Sequence, residues 1–379
     1  MGDLRKILGN RIRTARVRLS LSQRQLASEA GFSAPQIISQ IEKGEREIKA
    51  WELVNLARVL RIDMSQLIGT EEPRPLAPVL WRKNPKRDKE LIEAEFLRRC
   101  EQYALLEKLC EVVTSGDLPK VAVNSATMDF QKAEQLGEGI WKELELGSRP
   151  ATCLASVLEE RYAVKIWYQN LDEGSAASSK GPFGAAILMN STEAPWRRNF
   201  SFGHELFHLV TWDSIPPQLL IENPELWDRI EKLASTFASS LLLPSDDIAQ
   251  AFESHIKDDK VAYTDLIQVA REFGVSTEAL LYRLLDLGFI DRGDVDSLLA
   301  DSDFRDLDRS VRLSDWWKPL AIPERFVRLA FMAYLKGKLS RPRLAEYLNT
   351  SLIDLTDTLL EYGLDDRKDY QTSVRASRR

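Results

Sequence analysis

Two of the three histidines in this 379-residue chain stand four positions apart, with a glutamate directly after the first: His204, Glu205 and His208, in "NFSFGHELFHLVTW". On a helix, side chains at i and i+4 share a face, so two imidazoles can bind one metal ion together. Glu205 is rotated by about 100° from His204, close enough to take a proton from a water at the metal without being a ligand. A cation held there would lower the pKa of that water and polarise a carbonyl. The competing account is a buried helix with two hydrogen-bonded histidines. With so few histidines in the chain, chance supplies this spacing only about 0.002 times, so the metal account is preferred.

Zinc sites that do chemistry take a third protein ligand and keep one position open. A third histidine at 214, with glycine at 211, would mark one subclass, but the chain has Ser214 and Thr211. His255 lies in the polar stretch "ESHIKDD" and reads as a surface residue. Glu231 is the better candidate. It opens "EKLASTFASSLLLP", where Ala234, Ala238 and Leu241 continue its helical face, and the two alanines would let this helix approach the histidine helix closely. Asp228, Glu225 and Glu222 are rivals on the same segment. No residue announces itself as an oxyanion partner, and Arg197 and Arg198 read as solvated charges ahead of the helix.

These residues must be held by a larger framework. "AVKIWYQN" and "FGAAILMN" are β-rich runs that read as neighbouring strands, with "LDEGSAASSKGP" as a flexible connection. The second leads by a short loop into the histidine helix, and Pro216 and Pro217 end that helix before the segment carrying Glu231 begins. Upstream, "LIEAEFLRRCEQYALLEKLCEVV" is a long amphipathic helix with Cys100 and Cys110 at its apolar face, preceded by a proline-rich linker, "TEEPRPLAPVLWRKNPKRDKE". Residues from 260 onward are nearly all helical, and "DRKDYQTSVRASRR" reads as a frayed tail.

Charge divides the chain. Residues 1–70 hold 12 Lys and Arg against 7 Asp and Glu, which leaves −11 for the remaining 309 residues of a chain with net charge −6. A basic head on an acidic body suggests that the head meets a polyanion. That head reads as short helices broken by turns: Ser22 caps one, Gly31 stops it, and Ile37, Ile38 and Ile41 mark the buried face of the next. Two short helices joined in this way fit the helix-turn-helix plan, whose second helix lies in the major groove of double-stranded DNA. Gln36, Ser39, Gln40 and Lys43 then face outward. Amides suit adenine edges, Lys43 and Arg46 suit phosphates, and Gln23 is placed to touch the backbone.

Two resemblances follow from these motifs. "LSQRQLASEAG…QIISQIEKGER" resembles the Cro/phage-repressor (XRE-type) helix-turn-helix domains over residues 5–69, with one residue more than the usual spacing after Ser33. "RRNFSFGHELFHL", then "EKLASTFASSLLLP", then "AREFGVSTEALLYRLLDLGFI" is similar to the ImmA/IrrE family of metallopeptidases over about residues 120–290. That resemblance implies zinc on His204, His208 and Glu231, Glu205 as general base, and a small sheet beside the active-site helices. Ser235 stands where the family often has Asn. "PERFVRLAFMAYLKGKLSRPRLAEYLNTSLIDLTDTLLEYGL" resembles C-terminal extensions of longer members, and its charge favours a structural or dimerising role over a second DNA-binding one.

The expected organisation is multidomain and mainly α with a small β-sheet. It comprises an all-α helix-turn-helix head (1–70), a linker and amphipathic helix (71–119), an α+β zincin-like metallopeptidase domain (120–290) and a helical C-terminal region (291–379). The expected function is that of a DNA-binding regulatory zinc metallopeptidase that cleaves a partner protein such as a transcriptional repressor. The alternative is a non-catalytic regulator or antitoxin whose body senses metal or binds a partner. Three cysteines without a C-x-x-C pair, no apolar run long enough to span a bilayer and no secretory signal lead to the expectation of a cytoplasmic protein away from membranes. Because helix-turn-helix repressors read paired half-sites, a homodimer is also expected.

Overall fold

The computed structural model describes residues 2–62, 64–69, 77–113, 116–256, 260–310, 318–368 and 370. The start of the expected linker, 70–76, and most of the expected tail, 371–379, lie outside the described residues. The chain divides into two compact units, residues 1–101 with 114–319 and residues 102–113 with 320–379.

The head consists of α1 (Gly2–Arg18), α2 (Gln23–Glu29), α3 (Pro35–Glu42), α4 (Ala50–Val59) and α5 (Met64–Ile68). Ser22 and Gln25 form a reciprocal capping box that starts α2. Gly31, at φ +78, makes the turn after α2 in a conformation that strains any residue with a Cβ, and Pro35 sits in the first turn of α3, where its missing N–H costs nothing. Ile12, Leu19, Leu26, Ile38, Ile41, Leu56 and Leu60 form one apolar core. The helix-turn-helix reading therefore has a folded counterpart with its inward face where the isoleucines place it.

The next elements are β1 (Val79–Trp81), α6 (Lys89–Cys110), α7 (Phe130–Glu143), α8 (Pro150–Tyr162), β2 (Lys165–Gln169), β3 (Ala176–Gly181), β4 (Gly184–Asn190), α9 (Pro195–Thr211), α10 (Pro217–Ile221) and α11 (Pro224–Leu242). The four strands form one sheet in the order β1-β3-β4-β2, with β2 parallel to β4 and the other pairs antiparallel. Two expectations need correcting here. Val79–Trp81, expected to be linker, is an edge strand that pairs Trp81 with Ala177. The expected flexible connection contains β3, whose Ala176, Ala177, Ser178 and Ser179 are all buried. Such small side chains carry weak β propensity, but they suit a central strand against which a helix must lie close.

That helix is α9. It packs on β3 and β4, and also contacts α8 and α11. From Ser201 to Thr211 every residue is buried, as befits a helix enclosed on more than one side. A Cβ on Gly203 would fall 3.1 Å from Ala238 Cβ, so α9 and α11 approach each other closely at this pair of small residues. At the same level of α11, Gly137 of α7 provides a second close approach, since a Cβ there would lie 2.6 Å from the Phe237 carbonyl oxygen.

The unit continues through α12 (Ser245–Glu253), α13 (Tyr263–Glu272), α14 (Thr277–Asp286), α15 (Arg292–Ala300) and α16 (Ser302–Ser310). Val295 and Phe304 belong to the same apolar cluster as Phe207 and Phe237, so the packed body runs past the boundary expected at residue 290. The second unit contains α17 (Glu324–Leu335), α18 (Arg341–Tyr347), α19 (Leu355–Glu361) and the last part of α6. Within it the Tyr103 and Phe326 rings meet edge to face at 5.2 Å, and Arg325 donates to Glu107 at 2.6 Å.

Candidate metal centre and its surroundings

α9 carries His204 and His208 one turn apart, and α11 carries Glu231 toward them across the Gly203–Ala238 contact. His204 Nε2 lies 3.1 Å from Glu231 Oε2, His208 Nε2 lies 3.3 Å from Glu231 Oε1, and the two Nε2 atoms are 3.3 Å apart. Ligand atoms about 2.0–2.1 Å from one tetrahedral zinc stand about 3.4 Å from each other, so the triangle has the size that such an ion requires. Among the described residues these three are the one group of His, Cys, Asp or Glu that converges in this way. His255 is elsewhere, 3.8 Å from Asp265.

The protonation chemistry also suits a cation. Burial pushes the His204 imidazolium pKa down to about 4, so the ring is neutral at pH 7 and has a nitrogen lone pair to give. Burial also opposes ionisation of Glu231, but the bonds to His204 and His208 outweigh it and hold the carboxyl at about 2. Ser235 stands behind His204: its hydroxyl donates to the Glu231 carbonyl oxygen at 3.0 Å and lies 3.4 Å from His204 Nδ1, where it can accept the ring N–H when Nε2 gives its lone pair to a cation instead of a proton to Glu231. A serine thus occupies a useful place where the resemblance suggested an Asn.

Glu205 is fully buried, and neither of its oxygens has a hydrogen-bond partner among the described residues. Burial raises its pKa to about 7, while His208, Ser178 and Arg82 act in the opposite direction. Ser178 Oγ is near but makes no hydrogen bond of its own. A polar group left unmade in the interior is costly, and two orphaned carboxylate oxygens beside a three-donor set are what a site for a divalent cation and a proton-donating water would contain.

Two surrounding features were not legible in the sequence. Arg82, inside the expected linker, follows β1 and its Nη1 donates to Ser201 Oγ at 2.9 Å. A cleft of about 360 Å³ is walled by Val79, Trp81, Leu220, Trp227 and Asp228 among others. Trp227 and Asp228 precede Glu231 by four and three residues on α11, so the cleft lies one helical turn from Glu231. By contrast, Arg197 and Arg198 belong to α9 itself, and Arg198 is buried with Nη1 directed at the Ser191 and Glu193 carbonyl oxygens. Arg198 is a structural clamp rather than a solvated charge.

In the head, Gln36, Gln40 and Lys43 are exposed and Ser39 is half-buried. Gln23 and Arg46 are engaged within the domain: Gln23 Nε2 donates to Glu42 at 2.8 Å, and Arg46 makes a two-pronged bond to Glu52 at 2.8 and 3.0 Å. As they stand, Gln23 ties α2 to the end of α3 and Arg46 ties the segment after α3 to α4.

Residues 159–285 match a family model described as IrrE N-terminal-like domain, and residues 12–67 match a helix-turn-helix model. No curated protein matches the chain. Among solved structures, a Mycobacterium tuberculosis transcriptional regulator is similar over 49% of this chain and 52% of its own, at 17% identity and a TM-score of 0.31. The chain thus spans about half the length of that structure. No helix among the described residues is long and apolar enough to cross a membrane.

Proposed function

We propose that this chain, a DNA-binding regulator of the ImmA/IrrE type with an N-terminal helix-turn-helix domain, is an active zinc metallo-endopeptidase whose substrate is a partner protein such as a transcriptional repressor. The observation that carries the reading is Glu205. Metal storage or sensing needs the three ligands alone, yet a second acidic side chain is buried beside them without a hydrogen-bond partner among the described residues and with its pKa raised to about 7.

Zinc, held by His204, His208 and Glu231, would supply Lewis acidity toward a carbonyl oxygen and a water molecule. Glu205 takes the proton as water attacks the carbonyl carbon and returns it to the nitrogen as the peptide bond breaks. A base poised near neutral pH can do both. Ser235 would accept the His204 Nδ1–H in the tautomer that presents Nε2 to the ion. β1 has no partner on its outer side among the described residues, and an extended polypeptide can add to such an edge, next to the cleft of Trp81 and Trp227.

The head would bring this activity to double-stranded DNA, with Gln36, Ser39, Gln40 and Lys43 outward on or just after α3. Gln23 and Arg46 reach DNA only by giving up their bonds to Glu42 and Glu52.

The test is zinc content together with cleavage of candidate repressors by the full chain and by Glu205→Gln. Equal zinc with a loss of cleavage on the order of 10²–10⁴ supports an enzyme. Zinc-loaded protein that cleaves none of them, while regulation in cells survives Glu205→Gln, supports a regulator whose body only binds metal or a partner.

A further inference from the structure

We propose that Arg82 is the residue that receives the scissile carbonyl oxygen as it becomes an oxyanion. The assignment rests on the peptidase reading above and supplies, beside the Lewis acidity of the ion, the hydrogen-bond donor that the His204–Glu205–His208–Glu231 set lacks. When water adds to a peptide carbonyl, the C=O electron pair moves onto oxygen, and the negative charge stays there until the C–N bond breaks. With zinc held by His204, His208 and Glu231, and with Glu205 engaged with the water, none of the four is free to donate a hydrogen bond to that oxygen.

Arg82 can, and its backbone is fixed for the purpose. Its N–H donates to the Ala176 carbonyl oxygen at 3.0 Å, which extends the β1–β3 pairing by one residue. Its Nη1 donates to Ser201 Oγ at 2.9 Å. Ser201 precedes His204 by three residues and Glu205 by four, so Ser201, His204, Glu205 and His208 occupy one face of α9. The guanidinium therefore lies over that face, one turn N-terminal to the ligands, and its Cζ sits 5.5 Å from the Phe200 ring.

Its charge is also unspent. Arg283 is paired with Glu134, Arg325 with Glu107 and Arg271 with Asp308. Among the described residues Arg82 has no carboxylate within ion-pair distance, and one hydroxyl is its side-chain hydrogen-bond partner. A guanidinium has five N–H donors in a rigid fork, so donors remain for a ligand.

The competing role is a tether that ties β1 to α9 through Ser201. The two separate in a binding experiment on the zinc-loaded full chain. N-phosphoryl-leucyl-phenylalaninamide presents a tetrahedral anion with peptide flanks, and acetohydroxamate reports the metal alone. Titration calorimetry of both ligands on wild type, Arg82→Gln, Arg82→Lys and Ser201→Ala measures the difference. We expect Arg82→Gln to weaken the phosphoryl dipeptide by about 10²-fold or more, with acetohydroxamate affinity and zinc content unchanged. Arg82→Lys, which keeps the charge without the fork, should fall between, and Ser201→Ala should stay near wild type. Undiminished phosphoryl binding by Arg82→Gln overturns the assignment and leaves the peptidase reading standing. A loss in Ser201→Ala as large as in Arg82→Gln overturns it in favour of the tether. Wild type that binds acetohydroxamate but not the phosphoryl dipeptide overturns the peptidase reading, and the role of Arg82 with it.

Discussion

Replacing Glu205 by Gln should stabilise the metal-free protein, and only above a defined pH. The carboxyl is fully buried without a hydrogen-bond partner, and burial raises its pKa from 4.5 to about 7. Between these two values the folded chain holds a proton that the unfolded chain has released, so stability falls as pH rises through the window. At 1.36 kcal/mol per unit, the loss is complete above about pH 7 and amounts to about 3 kcal/mol. Gln has nearly the same shape and cannot ionise. Chelator-treated Glu205→Gln should therefore exceed wild type by about 3 kcal/mol in urea unfolding at pH 8, and by no more than about 1 kcal/mol at pH 5. Contributions from His204 and Glu231 are common to both proteins and largely cancel in the difference. Added zinc should shrink the gap at pH 8, because a nearby cation favours the ionised carboxyl. A gap that is the same at both pH values, or absent at pH 8, would refute the claim that Glu205 is buried and unpartnered.

Glu231→Ala should reduce zinc affinity on the order of 10²–10³-fold, read as metal content after dialysis, while circular dichroism stays that of wild type; full zinc retention would remove Glu231 from the ligand set. Gly137→Ala puts a Cβ 2.6 Å from the Phe237 carbonyl oxygen and against Ser240 Oγ. It should cost a net of about 1–2 kcal/mol in urea unfolding, overpacking being offset in part by the better helix propensity of Ala. An unchanged midpoint would mean that α7 and α11 are less tightly apposed. Lys43→Ala should weaken DNA binding evenly across sequences and lower the salt slope by about 1, whereas Gln40→Ala should cost about 1–3 kcal/mol at one base position only. Fluorescence anisotropy at several salt concentrations checks both, and no change in either variant would point to a different DNA-facing surface.

Much of the centre was legible because it is local. The face shared by His204 and His208, the position of Glu205 beside it, and the alanines that follow Glu231 are consequences of helical period, which consecutive residues encode by themselves. The same holds for Ser22 and Gln25 at the start of α2, and for the three isoleucines that set the inward face of α3 and leave Gln36, Gln40 and Lys43 outside. Tertiary structure decided what sequence period cannot reach. "AASSKG" has no β-branched or aromatic residue, and it is a strand because β1 and β4 satisfy its backbone on both edges while α9 needs its small side chains. Val79–Trp81 is likewise a strand only through its pairing with β3. Arg82 was hidden in a proline-flanked stretch 119 residues from Ser201, and nothing in its neighbours marks it as different from Lys83 or Lys86. Glu231 could be singled out from Asp228, Glu225 and Glu222 by its small-residue face, but its 3.1 Å approach to His204 exists because Gly203 and Ala238 bring two helices together. Spacing along one helix is fixed by covalent geometry, whereas convergence between elements is fixed by packing, and packing is a property of the whole core.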